Sequence, residues 1–86
     1  MLKIKELEYN LDKLNELAVS RNSQQGIKIY EGALDKLKKV KNTDEFNELL
    51  DKVLKALGGI EAHGSFTNEE YECVKNIRNI KNIMIF

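Results

Sequence analysis

The chain has 86 residues, 42% of them hydrophobic and 33% charged, with equal numbers of acidic and basic side chains. That share of apolar residues excludes a disordered chain, the length excludes a second domain with its own core, and the charge balance excludes a strongly basic nucleic-acid binder. One cysteine, Cys73, excludes an internal disulfide and suits a reducing, cytoplasmic setting, while the opening "MLKIKELE" interleaves charge with apolar residues and lacks the apolar run of a signal peptide or membrane span.

There is no proline, and Leu, Lys, Glu and Ile are abundant. Side chains that do not branch at Cβ, such as Leu, Lys and Glu, lose little rotamer freedom in a helix, so an all-α fold is expected. Ile4, Leu7, Leu11, Leu14 and Ala18 recur at intervals of three and four, which places them on one stripe of a helix over residues 3–19. Arg21-Asn22-Ser23 breaks the pattern, and Ser23 can cap a second helix over 24–40. That helix carries Ile27, Tyr30, Leu34 and Leu37 on one face, with Ala33 and Val40 beside them. Gly32 costs about 1 kcal/mol relative to alanine, which a close helix crossing would explain.

"KNTDEF" signals a third start: Asn42 or Thr43 can cap, and Asp44 and Glu45 favour the positive helix end. Phe46, Leu49, Leu50, Val53, Leu54 and Leu57 form the strongest amphipathic pattern in the chain, and its width predicts that this helix, over 43–63, is the centre of the bundle. Continuation of the stripe through Ile60 and Ala62 makes Gly64, rather than Gly58-Gly59, the left-handed stop.

"SFTNEEY" is the sharpest local signature. Thr67 as N-cap puts Glu70 at the third helical position, a capping box, and Phe66 and Tyr71 stand where a hydrophobic staple would form. The fourth helix is expected over 68–80, burying Tyr71, Val74, Ile77 and Ile80 with Cys73 at the edge. "KNIRNIKNI" then repeats with a period of three, so on an α-helix Ile77, Ile80 and Ile83 drift about 60° per step and cannot share one narrow stripe. Asn76, Asn79 and Asn82 compete for backbone hydrogen bonds, which predicts fraying near Lys81 and a tail over 81–86. Ile83, Met84, Ile85 and Phe86 then need a groove on the bundle or a partner, since burying each is worth roughly 1.5 to 3 kcal/mol. The expected architecture is a single-domain antiparallel four-helix bundle with a short C-terminal tail.

Catalytic chemistry is not legible. His63 and Cys73 are separated by a loop, and no helical register brings them into the reach a thiol and its base need. One histidine and one cysteine do not make a zinc site, and Gly58-Gly59 lacks the strand and lysine of a phosphate loop. No cofactor or metal is expected, and the chain reads as a non-enzyme. Charge is uneven along it: residues 21–41 and 73–86 are basic, and residues 42–72 are acidic. Lys36, Lys38, Lys39 and Lys41 form one basic cluster, which reads as helix-end solvation or, under a nucleic-acid alternative, as a phosphate contact whose binding would fall steeply with salt. Lys75, Arg78 and Lys81 form the other.

"ALDKLKKVKNTDEFNELLDKVLKAL" resembles the second and third helices of the bacteriocin immunity proteins of Gram-positive bacteria, of the enterocin A and pediocin type, and "GSFTNEEYECVKNIRNI" resembles their capped fourth helix. The resemblance covers residues 33–80. It implies a non-catalytic cytoplasmic protein that protects a producer cell from its own pore-forming peptide at the inner face of the membrane. The implied partners are the sugar-transporting permease that serves as receptor, the bacteriocin complex, or both, and not nucleic acid. It also implies that the fourth helix and tail choose the partner, which assigns recognition to Lys75, Arg78, Lys81, Ile83, Met84, Ile85 and Phe86. A different reading of the same residues is a small helical regulator or inhibitor from a phage or mobile element.

Overall fold

A computed structural model describes residues 2–64 and 66–83. Within them the chain forms α1 (Lys3–Ser20), α2 (Gln24–Leu37), α3 (Thr43–Ala62), α4 (Asn68–Arg78) and a 3-10 segment, Asn79–Asn82, with no strand. This is the expected all-α antiparallel four-helix bundle. Of the expected tail, Met84, Ile85 and Phe86 lie outside the described residues.

The helix starts follow from local chemistry. Ser23 Oγ accepts from the Gly26 amide at 3.4 Å, and Asn42 Oδ1 from the Glu45 amide at 2.9 Å, so Asn42 rather than Thr43 is the cap of α3. The Thr67–Glu70 capping box is complete, with 3.2 Å from the Glu70 amide to Thr67 Oγ1 and 2.8 Å from the Thr67 amide to the Glu70 carboxylate. Two residues take left-handed backbone: Asn22 (φ 56°) between α1 and α2, and Gly64 (φ 65°) after α3. Asparagine and glycine are the residues that adopt it most readily.

Four expectations need correction. The second helix stops at Leu37, not at residue 40, because the chain turns at Lys38–Lys39, lays Val40 against the core and runs extended into Asn42. The centre of the bundle is α1 rather than α3: α1 lies close against α2, α4 and the 3-10 segment, and Leu7, Leu11 and Leu14 are fully buried. Helix spacing depends on the side chains at the contact. Small residues let α1 and α2 approach closely, whereas α3 contributes the large buried side chains Phe46, Leu50 and Leu57.

The glycine at that close approach is Gly26, where a Cβ would stand 3.2 Å from Ala18 Cβ, Ser23 Oγ and Tyr30 Cε2. Gly32, expected to mark a crossing, has nothing within 4 Å of such a Cβ. Finally, Tyr71 is not part of the buried face of α4: it is 40% exposed, and Glu70, Cys73, Val74 and Ile77 face inward. Phe66 packs against the core and lines a surface cleft together with Tyr71, Glu61 and Gly64.

The triplets resolve through a change of helix type. In a 3-10 helix a period of three returns to the same side on every turn. The change at Asn79–Asn82 therefore removes the drift predicted for a continuous α-helix, leaving Ile77 and Ile80 fully buried and Ile83 partly buried against the core. The asparagines weaken the α-helix where fraying was expected, and the chain keeps its isoleucines inside by tightening.

Candidate interaction surface

Of the residues assigned to recognition, those described lie on α4, the 3-10 segment and the residue after it, and their charges are met from within the chain. Arg78 donates two hydrogen bonds to the Glu61 carboxylate near the end of α3, at 3.3 and 2.5 Å. This fork-on-fork geometry suits guanidinium and carboxylate. The hydrogen bonds from Arg78 hold the Glu61 carboxyl below its usual range, and the same contact pushes the Arg78 guanidinium up. Lys81 lies 3.8 Å from Asp51, also on α3. Lys75 lies 3.1 Å from Glu72 on its own helix and 5.8 Å from the centroid of the Tyr71 ring. Two of the three cations on the basic C-terminal stretch thus meet the acidic third helix. Ile83 rests partly buried on the core, and Met84, Ile85 and Phe86 lie outside the described residues.

Behind α4, Glu70 is 1% exposed although it is a carboxylate. It is partnered on both oxygens: the Thr67 amide reaches Oε1, and Arg21 Nε donates to Oε2 at 3.1 Å. A buried charge persists only when paired and hydrogen-bonded. Arg21, at the end of α1, therefore ties that helix to the start of α4. Beside this pair a polar cavity of about 160 Å³ opens between Ala18, Ser23, Gly26, Tyr30 and Ile60. Burial, and then the nearby Glu70 carboxylate, push the Tyr30 hydroxyl up to about 12, with Arg21 opposing. Further along, Asn76 Nδ2 donates to the fully buried Asn10 Oδ1 at 3.2 Å, and Asn10 Nδ2 donates to Glu6 O at 2.8 Å. The Arg21–Glu70 and Asn76–Asn10 contacts fix the register of α1 on α4.

Sequence reasoning identified Glu70 as a capping residue but not as a buried ion-pair partner, and it identified Asn76 as a helix weakener but not as an interhelical donor. Both pairings join residues far apart in the chain, and no local spacing signals them. His63 is exposed at the C-cap of α3, whereas Cys73 is buried and its thiol is pushed up, mainly by burial. The two do not share any of the four clefts described for the protein. Among the described residues no group of three or more His, Cys, Asp or Glu side chains is placed to hold a metal ion, and no helix is long and apolar enough to cross a membrane.

The first basic cluster divides. Lys36 and Lys39 face the junction of α2 and α3, while Lys38 and Lys41 do not line it, and none of the four takes part in an ion pair among the described residues. Fold and surface together define an all-α four-helix bundle whose α4 is clamped by internal ion pairs. Comparison with protein-family models, with curated proteins and with solved structures finds no match to this chain.

Proposed function

We propose that the protein is a non-catalytic immunity factor that protects a Gram-positive cell from a pore-forming bacteriocin. In this reading it acts in the cytoplasm, at the inner face of the membrane, on a permease receptor or its complex with the peptide. The observation that carries the reading is the agreement between the resemblance over residues 33–80 and the folded elements: the end of α2, a charged Lys-Asn turn, α3, and a separately capped α4. In this reading Lys75, Arg78, Lys81 and Ile83 to Phe86 form the recognition edge beside a rigid bundle. The cations exchange their ion pairs with Glu72, Glu61 and Asp51 for an acidic or lipid-facing surface, and the apolar residues fill a groove.

The test is to express the full chain, and a chain lacking residues 82–86, in a bacteriocin-sensitive Gram-positive strain and to challenge both with a panel of peptides. The expected result is resistance to one peptide or a narrow set, lost on truncation. Unchanged sensitivity to every peptide would refute the immunity role, and protection that survives truncation would move recognition off the C-terminus.

A second reading, a regulator or inhibitor that binds another protein, is favoured by one observation: the lysines along α2 and α3 take part in no ion pair among the described residues.

A further inference from the structure

Two adjoining clefts, of about 190 and 240 Å³, run along the junction of α2 and α3 and share Lys36, Leu49 and Lys52. Together they form one groove open to solvent. Its floor is apolar, formed by Ile29, Ala33, Leu49, Val53 and Ala56, and Gly32 leaves it unobstructed because nothing stands within 4 Å of where a Cβ would be. Its walls carry Lys28, Lys36, Lys39 and Lys52, none of which is in an ion pair among the described residues. The carboxylates lining it, Glu45 and Glu48, sit at one end.

We propose that this groove receives an amphipathic helix of a partner protein, with an apolar stripe on the floor and acidic flanks on the four lysines. Within α2 the lining runs from Lys28 to Lys36, a little over two helical turns or roughly 12 Å, enough for anchors at positions i, i+4 and i+7 of the docked helix. Charge complementarity selects the occupant. A second copy of this chain would set lysines against lysines across a two-fold axis. A bilayer surface could meet the lysines but not a floor recessed between two helices. Nucleic acid could meet the lysines too, yet the floor offers no aromatic ring for stacking and no base-reading polar group. An acidic amphipathic helix satisfies both parts, the apolar floor giving affinity and the lysines giving orientation and association rate. The inference stands apart from the immunity reading, which places recognition on α4 and the residues after it.

The test uses the full chain and a library of displayed helical peptides, with the Gly32→Leu chain for counter-selection. Gly32 is exposed and helical, so leucine there fills the groove without disturbing the bundle, which circular dichroism verifies. Enriched peptides should carry an apolar stripe flanked by Asp or Glu. Their binding should weaken by about tenfold or more in Gly32→Leu and in Lys28→Glu/Lys52→Glu, and should fall with added salt. Amide shifts on binding should centre on residues 29–36 and 49–56. Failure to enrich any peptide over the counter-selection, enrichment of peptides without acidic flanks, or shifts centred elsewhere would overturn the proposal. So would tighter binding to phosphatidylglycerol vesicles or duplex DNA than to the enriched peptide.

Discussion

Lys75, Arg78 and Lys81, on α4 and the 3-10 segment, each lie against a carboxylate of the same chain, whereas Lys28, Lys36, Lys39 and Lys52, along α2 and α3, take part in no ion pair among the described residues. Both groups look alike in sequence, as basic residues at helical spacing. The difference arises from what lies opposite. α4 returns alongside α3 and brings Arg78 and Lys81 to Glu61 and Asp51, while α2 meets α3 where small and apolar side chains leave a groove. A basic stretch in a neutral protein thus serves cohesion in one place and leaves an accessible positive field in another.

The comparison can be tested hardest at Glu70, the most buried charge on the α4 side. Glu70→Ala leaves the Thr67 amide without its partner and Arg21 without its buried carboxylate, so stability should fall by about 2 to 3 kcal/mol, allowing for the partial exposure of Arg21. Urea unfolding measures this, and a loss under about 0.5 kcal/mol would mean that the clamp does not hold α4.

Tyr30 lies beside that clamp, and its hydroxyl is raised from 10.0 to about 12. A group whose folded pKa is raised contributes stability below its unfolded value and loses it as pH rises through the folded one. Stability should therefore fall from near pH 10 through about pH 12, by roughly 3 kcal/mol in all, and Tyr30→Phe should flatten that decline. Alkaline titration followed by tyrosinate absorbance and circular dichroism tests both statements.

The two glycines of α2 sharpen the contrast between a closed and an open helix face. Gly26→Ala places a methyl 3.2 Å from Ala18 Cβ, so it should cost about 1 kcal/mol despite better helix propensity. Gly32→Ala meets nothing and should gain up to about 1 kcal/mol. The smallest effect is expected on the groove walls. Lys28→Glu and Lys52→Glu should each change thermal stability by less than about 0.5 kcal/mol, because these exposed lysines take part in no ion pair among the described residues.

Much of the fold was legible because its signals are local. Ser23, Asn42, Thr67 with Glu70, and Gly64 mark boundaries through hydrogen bonds or backbone angles that act within a few residues. The end of α2 was not legible, since Lys38-Lys39-Val40 contains no residue that stops a helix, and the turn there accompanies the packing of Val40 against the core, a contact no local spacing signals. The buried face of α4 was misread because Tyr71 is apolar and Glu70 is charged, yet Arg21, distant in sequence, makes Glu70 the one that can be buried. The same limit applied to the candidate site. Its lysines and arginine could be named from sequence, but whether each is engaged depended on α3. Lys28 and Lys52 were passed over because they join Lys36 only once α2 and α3 are side by side.

The central claim is that the basic charge of α4 is paired within the chain, and its strongest instance is Arg78 on Glu61. Carbon-detected NMR titration of the Glu61 carboxyl, in the natural chain and in Arg78→Gln, tests it most directly. A Glu61 pKa below the ordinary value of 4.5 that rises when Arg78 is replaced is the result predicted. An ordinary value that is the same in both chains would contradict the account and return Arg78 to the solvent-facing surface.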